Sequence, residues 1–268
     1  MTRPISLAHL STIDLPPPRM IHLAAELGYD AVGLRLLRVT DTSPGYPLMD
    51  DPAMMAETLA ALAETGLRVQ DIEFLRFTPG IDLPALRPFL EAGQRLGARY
   101  AICAPYDPDL GRLAANLAAF AELSAPYGIR PVLEFFPWTN VPDLAAAIAV
   151  TEAAGDERLG ILVDALHLNR SGSDPALMAG LPAHRLPFLH LCDAPVHPPY
   201  TTEELLFAGR EERLAPGDGQ IDIAAILAQA PADVPVALEI PMTALAREKG
   251  CAHTAAYGLR RMREILKR

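Results

Sequence analysis

From residue 131 onward, an apolar run that stops on an ionisable residue recurs again and again, and this recurrence restricts the available folds more than any other feature of the chain. The runs are Pro131-Val132-Leu133-Glu134, Leu159-Gly160-Ile161-Leu162-Val163-Asp164, Pro187-Phe188-Leu189-His190 and Val236-Ala237-Leu238-Glu239. Short runs of mostly apolar residues are the pattern of strands buried on both faces. An ionisable side chain at the carboxyl end of such a strand is not core filler, because an unpaired buried charge is too costly.

A coarser unit surrounds these runs: an Ala/Leu-rich helical stretch, a short turn and an apolar strand. Leu23–Gly28 leads into Ala31–Arg35, Leu59–Gly66 into Val69–Glu73, Gly93–Gly97 into Tyr100–Cys103, and Ala121–Gly128 into the strand ending at Glu134. Glycine just past a helix is the expected left-handed stop. A helix over 141–154, a short one near 174–181 and Ile221–Gln229 precede the later strands, and with Ile5–His9 first and a helix over 243–267 last the count is eight and eight. Such alternation over 1–268 predicts one α/β domain, a single (β/α)8 TIM barrel. A doubly wound sheet would carry a glycine-rich phosphate turn, and neither usual form of that turn occurs. The stretches 39–52 and 194–219 read as long non-helical loops that follow strands, which places both on the active face of a barrel.

Composition excludes several function classes. Half of the residues are hydrophobic, enough for a sizeable core, while a formal net charge of −10 argues against a broad basic surface for nucleic acid. No uninterrupted apolar segment reaches the roughly 18 residues of a membrane helix, and no signal-peptide core follows the first residues. Cys103, Cys192 and Cys251 have no C-x-x-C spacing, which points to a reduced, cytoplasmic setting. No G-x-S-x-G and no His-Glu-x-x-His is present.

In a parallel barrel the strand ends meet at one mouth, so Glu134, Asp164, His190 and Glu239 converge. Three carboxylates at one point repel one another, and one divalent cation is the simplest way to hold them together. The oxygen-rich set suits Mn²⁺ or Mg²⁺ and tolerates Co²⁺ or Zn²⁺. Open coordination positions would polarise a carbonyl and stabilise an enediolate. His9, Arg35, Glu73 and Arg213, beside Arg38, Arg76 and Tyr106, fall at the same mouth, where arginines clamp anionic groups or pair with acids such as Glu73. Phe135, Phe136 and Trp138 follow Glu134 and are expected to wall a sugar-sized pocket or to serve as packing. Asp193, three residues past His190, is expected to bond the following loop or to touch substrate.

This strand-end series, with Asp164-Ala165-Leu166-His167 and Arg213-Leu214-Ala215-Pro216-Gly217-Asp218-Gly219, resembles the xylose isomerase-like TIM barrels over nearly the whole chain. The resemblance implies that His167 contacts substrate beside the metal, and that Glu134 and Glu239 exchange a proton with a substrate carbon while binding metal. It implies a metal-dependent isomerase or epimerase of a small hydroxyketone or sugar-like molecule, with homo-oligomer formation left open. Asn140 and Val196 stand where the epimerases of this family carry a glutamate and an arginine, so a dehydratase of the dehydroshikimate or inosose type is the alternative. A barrel that binds a sugar or a partner without turnover is the second alternative. The trinuclear zinc centre of endonuclease IV, also a relative, needs further histidines that this chain lacks.

Overall fold

Side chains alternate across a strand, so the parity of each residue decides whether it meets the helices or the lumen of a closed sheet. In the computed structural model, which describes residues 3–267, eight parallel strands close in chain order into one barrel. They are β1 (Ile5–Leu7), β2 (Ala31–Arg35), β3 (Arg68–Phe77), β4 (Tyr100–Pro105), β5 (Arg130–Glu134), β6 (Gly160–Asp164), β7 (Leu189–Leu191) and β8 (Val236–Leu238). Leu133, Ile161, Val163, Leu189 and Leu238 join the large apolar cluster between sheet and helices. Val132, Leu162, Phe188 and Ala237 have the other parity and form a smaller cluster in the lumen. Glu134, Asp164, His190 and Glu239 continue that inward parity to the ends of their strands.

The helices are α1 (Pro17–Leu27), α2 (Pro52–Thr65), α3 (Arg87–Leu96), α4 (Leu110–Ser124), α5 (Leu144–Ala154), α6 (Ala165–Arg170), α7 (Thr202–Arg210), α8 (Ile223–Gln229), α9 (Thr243–Lys249) and α10 (Cys251–Leu266). Several expected boundaries move. β1 stops at Leu7, and His9 enters a 3-10 turn, His9–Thr12. β3 and β4 run past the expected Glu73 and Cys103 to Phe77 and Pro105. The expected helix near 174–181 is a 3-10 segment, Pro175–Gly180. The expected final helix divides because Gly250 takes φ 85° and ψ 150°, a conformation that favours glycine and ends α9.

The stretch 194–219 is not the open loop expected of it. It contains α7, started by a capping box in which the Thr201 side chain accepts from Glu204 N–H and the Glu204 carboxylate accepts from Thr201 N–H. Among the described residues, no helix is long and apolar enough to cross a membrane.

Candidate metal centre

Glu134, Asp164, His190 and Glu239 each present one ligand atom such that all four atoms lie within 4.8 Å of one another, and all four residues are buried. β5, β6 and β7 deliver the first three side chains, and Glu239 follows directly on β8. Asp164 has a second duty: its Oδ1 accepts the N–H groups of Leu166 and His167 at 2.6 and 3.4 Å and so caps α6. That helix was missed in the sequence, although Asp before an apolar stretch is its signal.

Arg213 is in the centre itself. Its Nη1 donates to Asp164 Oδ2 at 2.7 Å and lies 2.9 Å from Glu239 Oε2, and its Nη2 donates to Gly209 O at 3.1 Å. The side chain is buried, pairs with these acids as one of the expected alternatives for the mouth arginines, and still lines the cavity above the centre. His190 Nδ1 lies 3.4 Å from Glu239 Oε2 and 3.9 Å from both Glu134 Oε1 and Asp164 Oδ2. No hydrogen bond reaches either of its ring nitrogens.

The protein alone holds the two glutamates in opposite states. Burial and the neighbouring Glu239 charge push the Glu134 carboxyl well above its ordinary value. Burial acts on Glu239 in the same sense, yet His190 and Arg213 outweigh it and hold this carboxyl well below. Burial would lower His190, but Glu239, Glu134 and Asp164 raise it to about 10. A ring surrounded by three acids and left without a hydrogen bond fits a cation-binding donor set, which would take over the attraction the acids now direct at His190 and Arg213.

Above the centre lies a cavity of about 670 Å³, lined by Arg35, Glu73, Glu134, Phe136, Trp138 and Glu239 among others. Such a volume suits a small molecule. Phe136 and Trp138 stack at 5.0 Å, and the His167 ring stands edge-on to both at 4.8 and 5.3 Å. Phe135 instead belongs to the core. His167 Nε2 is 3.8 Å from Glu134 Oε1, and burial lowers the ring to about 4, so it is neutral.

Arg35 faces the cavity but its Nε donates to Glu73 Oε1 at 3.1 Å, so that pair neutralises itself. His9 does not line the cavity. Its Nδ1 accepts from Arg35 N–H at 2.9 Å, its Nε2 bonds Leu15 O at 3.0 Å, and its ring stacks on Tyr46, so it braces the wall behind Arg35. Asp193 accepts from Ala194, Gly217 and Ile221 N–H groups and anchors the loop after β7. Ser11 and Thr12, in the turn after β1, also line the cavity and had no sequence signal.

A family model described as xylose isomerase-like TIM barrel matches residues 21–262. An inosose isomerase of Bacillus velezensis is 24% identical over 221 residues, 77% of this chain and 76% of that enzyme. An inosose isomerase of Halalkalibacterium halodurans is 25% identical over 144 residues, 50% of this chain, so the match spans about half (49%) of that enzyme. A 3-dehydroshikimate dehydratase of Pseudomonas aeruginosa is 31% identical over 117 residues, 43% of this chain and 18% of the enzyme. Among solved structures, the IolI protein with a bound zinc atom superposes with a TM-score of 0.79 at 18% identity, covering 99% of this chain and 98% of its own.

Proposed function

Because this chain belongs to the xylose isomerase-like TIM barrel family and gathers Glu134, Asp164, His190 and Glu239 beneath a cavity, we propose that it is a metal-dependent isomerase or epimerase of a small polyhydroxylated ketone. The four converging ligand atoms are the observation that carries the proposal. A divalent cation held by these residues would supply Lewis-acid polarisation of a substrate carbonyl.

The chain's own groups supply the remainder. Glu134 on β5 and Glu239 beyond β8 stand on well-separated strands of the barrel, so a carbon bound between them meets a carboxyl group on either side. One removes a proton beside the carbonyl and the other returns one, the usual division of labour for paired acids held in different states. Phe136 and Trp138 give a sugar-like ring an apolar wall and limit water, while neutral His167 offers a hydrogen bond beside Glu134. Arg213 offsets part of the negative charge of Asp164 and Glu239. The floor arginines Arg35 and Arg213 are both paired with acids, which favours an uncharged substrate such as an inosose or a ketohexose.

The experiment is solvent exchange. With Mn²⁺ and an inosose or D-allulose in D₂O, deuterium should appear on the carbon beside the carbonyl with mass otherwise conserved. Both Glu134→Gln and Glu239→Gln should suppress it. Exchange unchanged in both variants would remove the glutamates from the mechanism. The partial match to a 3-dehydroshikimate dehydratase supports elimination as the second reading; loss of water and a new conjugated absorbance would select it.

A further inference from the structure

Inward positions can be followed around the wall from β3 to β7 in two neighbouring rows of the sheet. Asp71 pairs with Gly33, Ser6 with Ala237, and Ala237 with His190. Partners in parallel register point to the same side, so Ser6, Ala237 and His190 share the lumen. Asp71 has the parity of the cavity-lining Glu73, and its carboxylate lies across Gly33, where an added Cβ would come within 2.6 Å of Oδ1. On β2 the partner of Ser6 is Ala31, one inward position before Gly33, so the inward wall between Asp71 and His190 is formed by Gly33, Ala31, Ser6 and Ala237, all of them small side chains.

Three atoms on this path are sealed from solvent and have no hydrogen-bond partner: Ser6 Oγ, Asp71 Oδ2 and His190 Nε2. An unmade bond of a buried polar group is costly, and several such atoms facing one another are where ordered water is held. His190 directs Nδ1 at the three carboxylates of the centre, so Nε2 is the nitrogen that remains. Among the described residues those three acids are the ones in ion-pair reach of the ring, so Asp71 does not touch it directly. Burial drives the Asp71 carboxyl up to about 7, and the His190 ring is the first charge to oppose that rise.

We propose that Asp71 is a positioning residue for His190: one ordered water, donating to Asp71 Oδ2 and Ser6 Oγ, accepts the Nε2 hydrogen of the ring. When a divalent ion takes the place of the Nδ1 proton, Nε2 keeps its hydrogen and Nδ1 is left with its lone pair for the ion. Metal-ligating histidines commonly have their second nitrogen held in this way, which sets both tautomer and ring orientation. In this chain the holder comes from the far side of the lumen, past the small side chains of Gly33, Ser6 and Ala237. The role presupposes that Glu134, Asp164, His190 and Glu239 bind a divalent ion.

Zn²⁺ is a suitable probe because it is diamagnetic. Its affinity is measured by chelator competition, and the His190 ring is observed by ¹⁵N-histidine NMR of the Zn²⁺-loaded protein, with the resonance assigned from a His190→Gln sample. The wild type should show an Nδ1-bound ring with a slowly exchanging Nε2 hydrogen. Asp71→Asn should weaken Zn²⁺ binding about 10–100-fold and shift the Nε2 resonance or speed its exchange. Ser6→Ala, which leaves the acid in place and serves if the Asp71 variant fails to fold, should weaken binding several-fold and move the same resonance. Wild-type affinity and an unmoved ring in the folded variants would overturn the role of Asp71 while leaving the metal centre intact. Lost affinity with an unmoved ring would overturn it too, since that is bulk electrostatics. No Zn²⁺ binding by the wild type would remove the centre itself, and the proposal with it.

Discussion

Arg213 Nη1 and Asp164 Oδ2 are 2.7 Å apart in a site where both side chains are almost wholly shielded from solvent, at 1% and 0% exposure. The arginine thus occupies the same carboxylates that the candidate metal centre would use. Removing one partner of a buried pair typically costs about 3–5 kcal/mol, because the other charge is left uncompensated. Arg213→Met is therefore expected to lower the melting temperature of the metal-free protein sharply. Mn²⁺ should restore more stability to the variant than it adds to the wild type, since the ion then meets Asp164 and Glu239 without a competing cation. Thermal unfolding with and without Mn²⁺ checks this; equal Mn²⁺ increments would show that Arg213 and the ion do not compete.

Asp164 combines a ligand position with a helix cap, and two substitutions separate them. Asp164→Asn keeps an oxygen for the Leu166 and His167 N–H groups and should preserve α6 while losing the charge. Asp164→Ala should lose an additional amount of about 1 kcal/mol from the missing cap. Both should weaken Mn²⁺ binding by more than the roughly 10–100-fold seen when only an outer partner of a ligand is lost. Calorimetric titration and urea unfolding read the two effects independently. Undiminished Mn²⁺ binding by both variants would exclude Asp164 as a ligand.

His9 makes a pH-dependent contribution whose sign follows from its partners. Burial lowers the ring from 6.5 to about 4, and its Nδ1 already accepts a hydrogen bond, so protonation would set two donors against each other. The unfolded chain binds a proton at His9 near its ordinary value, whereas the folded chain does so only near 4. Between these values the unfolded state holds more protons, so stability falls as pH drops through that window and is unaffected above it. A displacement from 6.5 to about 4 is worth on the order of 3 kcal/mol. His9→Asn should flatten this part of the stability–pH curve measured by urea unfolding. A curve parallel to the wild type would show that His9 is not the group responsible.

Gly33 is required by a close approach rather than by its backbone angles, since a Cβ there would meet the Asp71 carboxylate at 2.6 Å. Gly33→Ala should therefore destabilise by about 1–3 kcal/mol, as overpacking does. In an Asp71→Ala background the same change should be nearly neutral, and a double-mutant cycle in urea measures the difference. Additive costs would mean that the strain lies elsewhere.

What could be read along the chain was whatever depends on neighbours in sequence. The apolar runs before Glu134, Asp164 and His190 identify strands because burial on both faces demands a local stretch of such residues, and helix-ending glycines mark the turns between units. Strand alternation then predicts the closed barrel that is found. The Thr201–Glu204 capping box was local as well, and overlooking it turned α7 into an expected loop. Tertiary structure alone decided which charges meet. Arg213 and Asp164 are 49 positions apart, and their contact exists only once closure of the sheet brings the chain after α7 back over β6. The same holds for His9, consumed by Arg35 and Leu15, and for Asp71, whose route to His190 crosses small residues on three other strands. Pattern reports that a side chain will be buried; the partner that makes its burial tolerable is set by register and closure, which no local stretch encodes.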